Sequence, residues 1–266
     1  MKSLIFLLLA SGLFLSPRIG RPAHPIGQWI WSSQDRRLFE TGRKSLPQLQ
    51  AAVWAGTIDW RDGHFQGRLA LSPARIPSPV IVIRLDDSVH EAWREPAPRT
   101  SEELDRQIGS ILDHVKGSGL LPAVVQLDYD CPSGRLANWS EALRALKKGS
   151  LHGTEVWITS LIDHLRDPRF GALFRDTVAG QVLQVFDTGD AFADGRPAAV
   201  LRDLERQGLP FQMGFGAFER KSRSGEVTQH REWLRSLPLF SKSALYRGAW
   251  IFPAGLPWIA QVKEVL

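Results

Sequence analysis

The 266-residue sequence predicts a TIM-type (β/α)8 barrel, less regular in its first units than in the rest. Three observations carry that expectation. From Val80 onward, strand-like and helix-like runs alternate without exception, the pattern of parallel strands joined by crossover helices. The strand-like runs are apolar and rich in β-branched residues, as strands buried on both faces must be. Counted from Trp29 there are eight of them, the number that closes such a barrel. An open doubly wound sheet is the alternative, but no glycine-rich phosphate loop follows the first strand to favour it.

The chain opens with Lys2 and an apolar run from Leu4 to Leu15, broken only by Ser11 and Gly12. This is the pattern of a secretory leader, with an apolar stretch too short to span a bilayer comfortably. Cleavage between Ser16 and Ala23 and retention as an N-terminal anchor both fit. Residues 1–23 are therefore assigned to a signal peptide or anchor, and 24–266 to one barrel domain. Export to the periplasm or the extracellular space follows as an expectation, with membrane contact only through an uncleaved leader.

Gln28 to Trp31 reads as the first strand. The stretch from Ser32 to Pro47 is polar and loop-like, with a helical turn or two allowed between Asp35 and Arg43. Ala51 to Trp60 is the second strand, Gly56 marking a bend or close approach. Asp62, Gly63 and His64 signal a turn into an accessory hairpin arm, Phe65 to Leu71. Val80 to Leu85 is a strong strand that ends in Asp86 and Asp87. Thr100 to Lys116 is a helix. Thr100 or Ser101 caps it, Glu102 and Glu103 suit its positive end and Gly117 stops it. Its apolar residues Leu104, Ile108, Ile111, Leu112 and Val115 share one face.

The central strand, Ala123 to Pro132, runs Ala-Val-Val-Gln-Leu-Asp-Tyr-Asp-Cys-Pro. Asp128 and Asp130, two apart, point to the same side of an extended chain, and Pro132 ends the ladder. Next come a helix from Leu136 to Lys148 and a strand from Glu155 to Ile162 carrying Asp163 and His164 at its end. A helix is expected to begin at Asp167-Pro168. Gln181 to Phe186 is a strand ending in Asp187, and Arg196 to Gln207 a helix closed by Gly208. Phe211 to Phe218 is a glycine-rich strand ending in Glu219. Val227 to Leu237 reads as helix, Tyr246 to Phe252 as the last strand, and Pro257 to Val265 as the final helix.

Composition removes several function classes. The net charge of +5 owes three charges to Lys2, Arg18 and Arg21 in the leading segment, and the rest are interspersed. With no basic stripe and no reading motif, nucleic acid is not a partner. Cys131 is the only cysteine, so no intramolecular disulfide forms. Two nearby carboxylates would raise its pKa, which makes it a bystander rather than a nucleophile. Asp86, Asp87 and His90 lack the paired histidines of a metal site, and no serine elbow joins a strand to a helix. No metal or cofactor is called for, and no oligomeric state is read from the sequence. Ten tryptophans against two tyrosines suit sugar or aromatic-ligand binding, although core packing is the commoner use of tryptophan.

What remains is a set of acids at strand C-terminal ends, which a barrel gathers on one face. Helix capping explains any single one, and for Asp167 before Pro168 it is the better explanation. Glycoside hydrolysis needs two carboxyl groups about 5 to 10 Å apart. Asp130 and Asp128, with Asp187 or Glu219 from other strands, are the candidates for it.

The strand ending Leu127-Asp128-Tyr129-Asp130 resembles the fourth-strand signature of family 18 glycoside hydrolases, Asp-x-x-Asp-x-Asp-x-Glu. Gln184-Val185-Phe186-Asp187 resembles that family's sixth-strand Met-x-Tyr-Asp. Trp250 matches the place where those barrels keep a tryptophan under the sugar. The resemblance implies a final glutamate that protonates the leaving group and a preceding aspartate that orients the substrate's acetamido group. Here Pro132 occupies the glutamate position and Val125 that of the first aspartate. More of the chain, from about Trp29 onward, resembles a bacterial family of unknown function, number 3142. The phrases that carry this are Trp29-x-Trp31, the Arg-Leu-Asp ending at Asp86, Gln126 to Asp130, Trp157 to Leu161, and Gln184 to Asp187. Trp31, Asp86, Gln184 and Trp250 are the substrate-binding candidates.

Three functions are then open. The first is a glycosidase-like barrel acting on an envelope polysaccharide. The second is a non-catalytic barrel that binds such a carbohydrate. The third is an envelope scaffold that binds another protein.

Overall fold

The computed structural model describes residues 24–70, 76, 79–94, 97–186, 195–221, 227–229 and 231–264. The expected leader and Asp187 lie outside the described residues. The strands are β1 (Ile26–Ile30), β2 (Gln50–Arg61), β3 (His64–Leu69), β4 (Val80–Leu85), β5 (Val124–Tyr129), β6 (Glu155–Leu161), β7 (Gly180–Gln184), β8 (Phe211–Gly216), β9 (Glu219–Lys221), β10 (Val227–Gln229) and β11 (Tyr246–Phe252). Eight of them pair in parallel in the order β1, β2, β4, β5, β6, β7, β8, β11, and β11 returns to β1. The sheet is closed, with helices between its strands, and the fold is the expected TIM-type barrel.

The irregular first unit has a local cause. Asp62 and Gly63 take φ of 51° and 78°, the positive values of a two-residue hairpin turn that folds β3 antiparallel onto β2. Phe65 of this arm is buried. Register slips between Trp54 and Gly56 where β2 leaves β1 for β3. A Cβ at Gly56 would lie 2.7 Å from the Arg68 carbonyl, so only glycine fits the bend.

The helices are α1 (Ser33–Ser45), α2 (Val89–Ala92), α3 (Ala97–Gly117), α4 (Leu136–Lys148), α5 (Phe170–Phe174), α6 (Arg196–Gln207), α7 (Arg231–Arg235), α8 (Leu237–Phe240) and α9 (Ile259–Lys263). Helix α3 buries the expected stripe of Leu104, Ile108, Ile111, Leu112 and Val115. Gly208 ends α6 with φ of 64°.

Four expectations are corrected. The stretch read as mostly loop after β1 is a full helix, α1. Ser32 Oγ accepts the Asp35 N–H at 3.1 Å, while the Asp35 carboxylate accepts from Ser32 Oγ and the Trp31 N–H. That reciprocal cap starts a helix with few buried apolar residues. Helix α3 begins three residues before Thr100, which therefore lies inside the helix and is not its cap. The Asp167-Pro168 pair forms a turn in which Asp167 accepts the Arg169 N–H at 2.9 Å, and α5 starts only at Phe170. The helix expected over Val227 to Leu237 is instead hairpin strand β10 followed by α7.

Inside the barrel, three tryptophans fill the floor with Ala52, Val82 and Val182. Each lies against a glycine on another strand, adjacent for Trp250 and Trp157 and one strand further for Trp29. A Cβ at Gly27 would sit 2.1 Å from the Trp250 ring, one at Gly180 would sit 2.4 Å from Trp157, and one at Gly214 would sit 2.9 Å from Trp29. Large residues thus meet small ones across the barrel interior, as its close packing requires.

Candidate cleft at the C-terminal mouth of the barrel

Above this floor a cavity of about 360 Å³ opens, within the range of small-molecule sites. Its floor is Trp29 and its walls include Trp31, Phe186 and Phe252. Its polar residues are Arg84, Asp128, Asp130 and Gln184. The side-chain period of two places them. On β4 the inward residues run Val82 then Arg84, on β5 Gln126 then Asp128, and on β7 Val182 then Gln184. Each strand thus changes from filling the barrel to lining its mouth within one step of two residues. Asp130 follows in the same phase, one residue beyond the end of β5.

Asp128 is almost fully buried. It accepts from Arg84 Nη1 at 2.9 Å and from Gln184 Nε2 at 3.0 Å, which orient its carboxylate. Burial pushes its pKa up and outweighs the opposing pull of Arg84 and its hydrogen-bond donors. Asp130 is differently served. Its side chain is 33% exposed and its Oδ2 lies 3.6 Å from Arg84 Nη2. Its Oδ1 is buried with no hydrogen-bond partner among the described residues. Burial first, and then the charge of Asp128, push the Asp130 carboxyl up to about 6 against the pull of Arg84. Trp31 shares this incompleteness, because its Nε1–H is buried without an acceptor among the described residues. Its ring is stacked on Trp54 at 5.3 Å, and Arg84 lies over it at 5.9 Å.

The structure therefore gathers Asp128, Asp130, Trp31 and Gln184 at one cleft. It does not bring two other binding candidates there. Trp250 lies one layer down, 3% exposed, stacked 6.4 Å from Trp29 with its N–H given to Gln212 Oε1. Phe252, two residues further along β11, takes the place at the cleft expected for Trp250. Asp86 holds the turn into α2 by accepting the Ser88 N–H at 3.0 Å, a bond that keeps its carboxyl below the usual range. Glu219 is not at the end of β8; it begins β9 of a separate hairpin, and its side chain lies outside the described residues.

Three further groups near strand ends, His164, Cys131 and His90, are structural. His164 accepts the Leu161 N–H on Nδ1 and donates from Nε2 to the Cys131 carbonyl at 2.6 Å, so it joins the loops after β5 and β6. Burial lowers its pKa and keeps it neutral. Burial likewise pushes the Cys131 thiol up to about 12. His90 bonds the Tyr129 hydroxyl at 3.1 Å.

Sequence reasoning did not select Arg84, Trp29, Phe186 or Phe252 as site residues. The signal for Arg84 was present, since it is the lone charged residue in the run Val-Ile-Val-Ile-Arg-Leu and falls in the phase of Val82.

The fold is shared with solved glycoside hydrolases. The spore cortex-lytic enzyme SleL of Bacillus megaterium QM B1551 matches with a TM-score of 0.64 at 11% identity, over 91% of this chain and 73% of that one. A chitinase from Rhizomucor miehei gives 0.63 at 9% identity, over 91% and 99%. A GH18 chitinase from Pseudoalteromonas aurantia gives 0.61 at 12% identity, over 91% and 100%. Identities this low establish a glycoside hydrolase-like barrel as the fold and nothing finer. No curated protein matches the chain. A family model does match, over residues 77–219, a span that holds β4 to β8 and with them Arg84, Asp128, Asp130 and Gln184. The chain belongs to the family described as Domain of unknown function (DUF3142).

Proposed function

We propose that this is an exported protein whose barrel mouth binds a sugar residue of an envelope polysaccharide. The observation that supports this reading is a cavity with aromatic walls whose lining includes Trp31 and Asp130, each carrying a buried polar atom without a partner among the described residues. Asp130 Oδ1 is an acceptor in want of a donor, and the Trp31 Nε1–H is a donor in want of an acceptor. A buried polar atom is costly unless a partner arrives, and sugar hydroxyls serve both roles. The apolar faces of a pyranose suit aromatic walls. The neighbours in fold, chitinases and a cortex-lytic enzyme by name, agree with carbohydrate as the ligand class. Export rests on the leader pattern of residues 1–23.

Binding is favoured over hydrolysis because Asp128 is committed to Arg84 and Gln184. Among the described residues, Asp130 is then the one carboxyl at the cleft with an oxygen to offer, and two flanking carboxyl groups are the usual requirement for cleaving a glycosidic bond. Pro132 stands where the resembled signature has its glutamate. One observation supports the second reading, hydrolysis with Asp130 as proton donor. A carboxyl pushed up to about 6 is suited to donating a proton in mildly acidic conditions.

Intrinsic fluorescence titrated with β-linked oligosaccharides and peptidoglycan fragments, beside an assay of reducing ends, separates the two. Binding gives a saturable change in emission without release of reducing ends. Release that disappears in Asp130→Asn moves the assignment to hydrolysis. No saturable change and no release across the panel overturns both.

A further inference from the structure

We propose that the sugar selected by this cleft carries an unsubstituted amine, so that its ligand is a cationic amino sugar and not a neutral or acidic one. The inference rests on the sugar-binding reading and adds the charge of the ligand to it. Among the described residues lining the cavity there are two carboxylates, Asp128 and Asp130, and one cation, Arg84. Arg84 is committed to Asp128 at 2.9 Å. Its 3.6 Å separation from Asp130 is longer than the roughly 2.7–2.9 Å of a charge-assisted hydrogen bond. Among the described residues, Asp130 therefore holds a charge offset only by an Arg84 that it shares with Asp128, on a carboxylate with one oxygen enclosed and unpartnered.

Among the described residues, the groups that act on Asp130 come from β5, β4 and the turn after β4, and two of the three oppose its ionisation. Asp128 on β5 and Asp87 in the turn after β4 repel a negative charge there, and burial adds to them, while Arg84 on β4 is the single favourable neighbour. A ligand that corrects this must be positive and must donate hydrogen bonds. A hydroxyl supplies the donor without the charge. A carboxylate or phosphate adds repulsion in a cavity whose walls are of low dielectric. An ammonium supplies charge and donor together. Trp29, Phe186 and Phe252 line the same space, and aromatic faces attract cations.

The test titrates the full chain at pH 7 with three oligomers of equal length: β-linked glucosamine, its N-acetylated counterpart, and an uncharged β-glucan. The expected result is binding of the glucosamine oligomer at least tenfold tighter than either of the others. Asp130→Asn abolishes the preference. Because that variant alters the site, a second measurement uses the unaltered protein: at pH 5, where Asp130 is mostly protonated, the preference disappears as well. Equal or tighter binding of the acetylated or neutral oligomer overturns the inference and leaves the sugar-binding reading standing. So does a glucosamine preference that survives both Asp130→Asn and pH 5. Failure of all three oligomers to bind overturns the inference together with the reading beneath it.

Discussion

Trp29, Trp157 and Trp250 on the barrel floor each give their indole N–H to an acceptor, Gln126 at 2.8 Å, Glu155 at 2.7 Å and Gln212 at 2.7 Å. Among the described residues, Trp31, two residues beyond Trp29 and at the mouth, finds no acceptor for its N–H, and Asp130 Oδ1 finds no donor. Both layers are built from the same strands, so the contrast is not one of fold. The floor is matched residue by residue, indole against glycine and N–H against acceptor. The mouth is matched only in part: Asp128 is complete, and Asp130 and Trp31 are not. Packing that closes on itself serves stability, whereas buried polar groups without partners are costly to the fold, and under the proposed function their role is to meet a ligand.

The comparison breaks first at Trp250. If it is a floor residue, Trp250→Ala lowers unfolding free energy by about 3–5 kcal/mol, the range for removing a buried large aromatic side chain. Urea denaturation measures it, and a loss below about 1 kcal/mol would return Trp250 to the role of a ligand-facing residue. The glycine side of the same contact gives a smaller effect. Gly27→Ala costs about 1–3 kcal/mol by overpacking. Part of that returns when Trp250→Leu is added, because the two changes meet at one contact and do not add.

The smallest effect has the opposite sign and comes from the mouth. The folded-state pKa of Asp130, about 6, lies above the ordinary aspartate value of about 3.9. The folded protein therefore binds the proton more tightly, and stability falls as pH rises from about 4 to about 6. Asp130→Asn escapes that loss. Discounted for partial exposure, it is expected to be more stable than the unaltered protein by about 1–2 kcal/mol above pH 6 and equal to it below pH 4. Denaturation curves across that pH range show the gain growing with pH. A pH-independent difference would mean that Asp130 is already satisfied and that the two layers follow the same rule.

These contrasts also show where the sequence was readable. All eight barrel strands were legible, because a strand buried on both faces must be an apolar β-branched run bounded by breakers. Helix α1 was not, since Asp35, Phe39 and Gly42 make a poor apolar stripe and the signal lay in the Ser32 and Asp35 cap. Strand β10 and helix α7 together read in sequence as one helix, Val227 to Leu237, because elements this short lack a decisive period. At the site, the spacing of Asp128 and Asp130 placed them on one side before any coordinates. The role of Trp250 was misplaced by one layer, because an inward-facing tryptophan looks the same in sequence whether it plugs a barrel or lines its mouth.

The sequence by itself determined the number and order of the strands and which side chains turn inward, since both follow from local periodicity. Only the tertiary structure decided which inward residues find partners. Arg84 and Asp128 are 44 positions apart, and Gln184 is 56 positions beyond Asp128. Ion pairing, glycine against indole and the orphaned oxygen of Asp130 are all relations between strands. They exist only once the sheet has closed, and no window of sequence contains them.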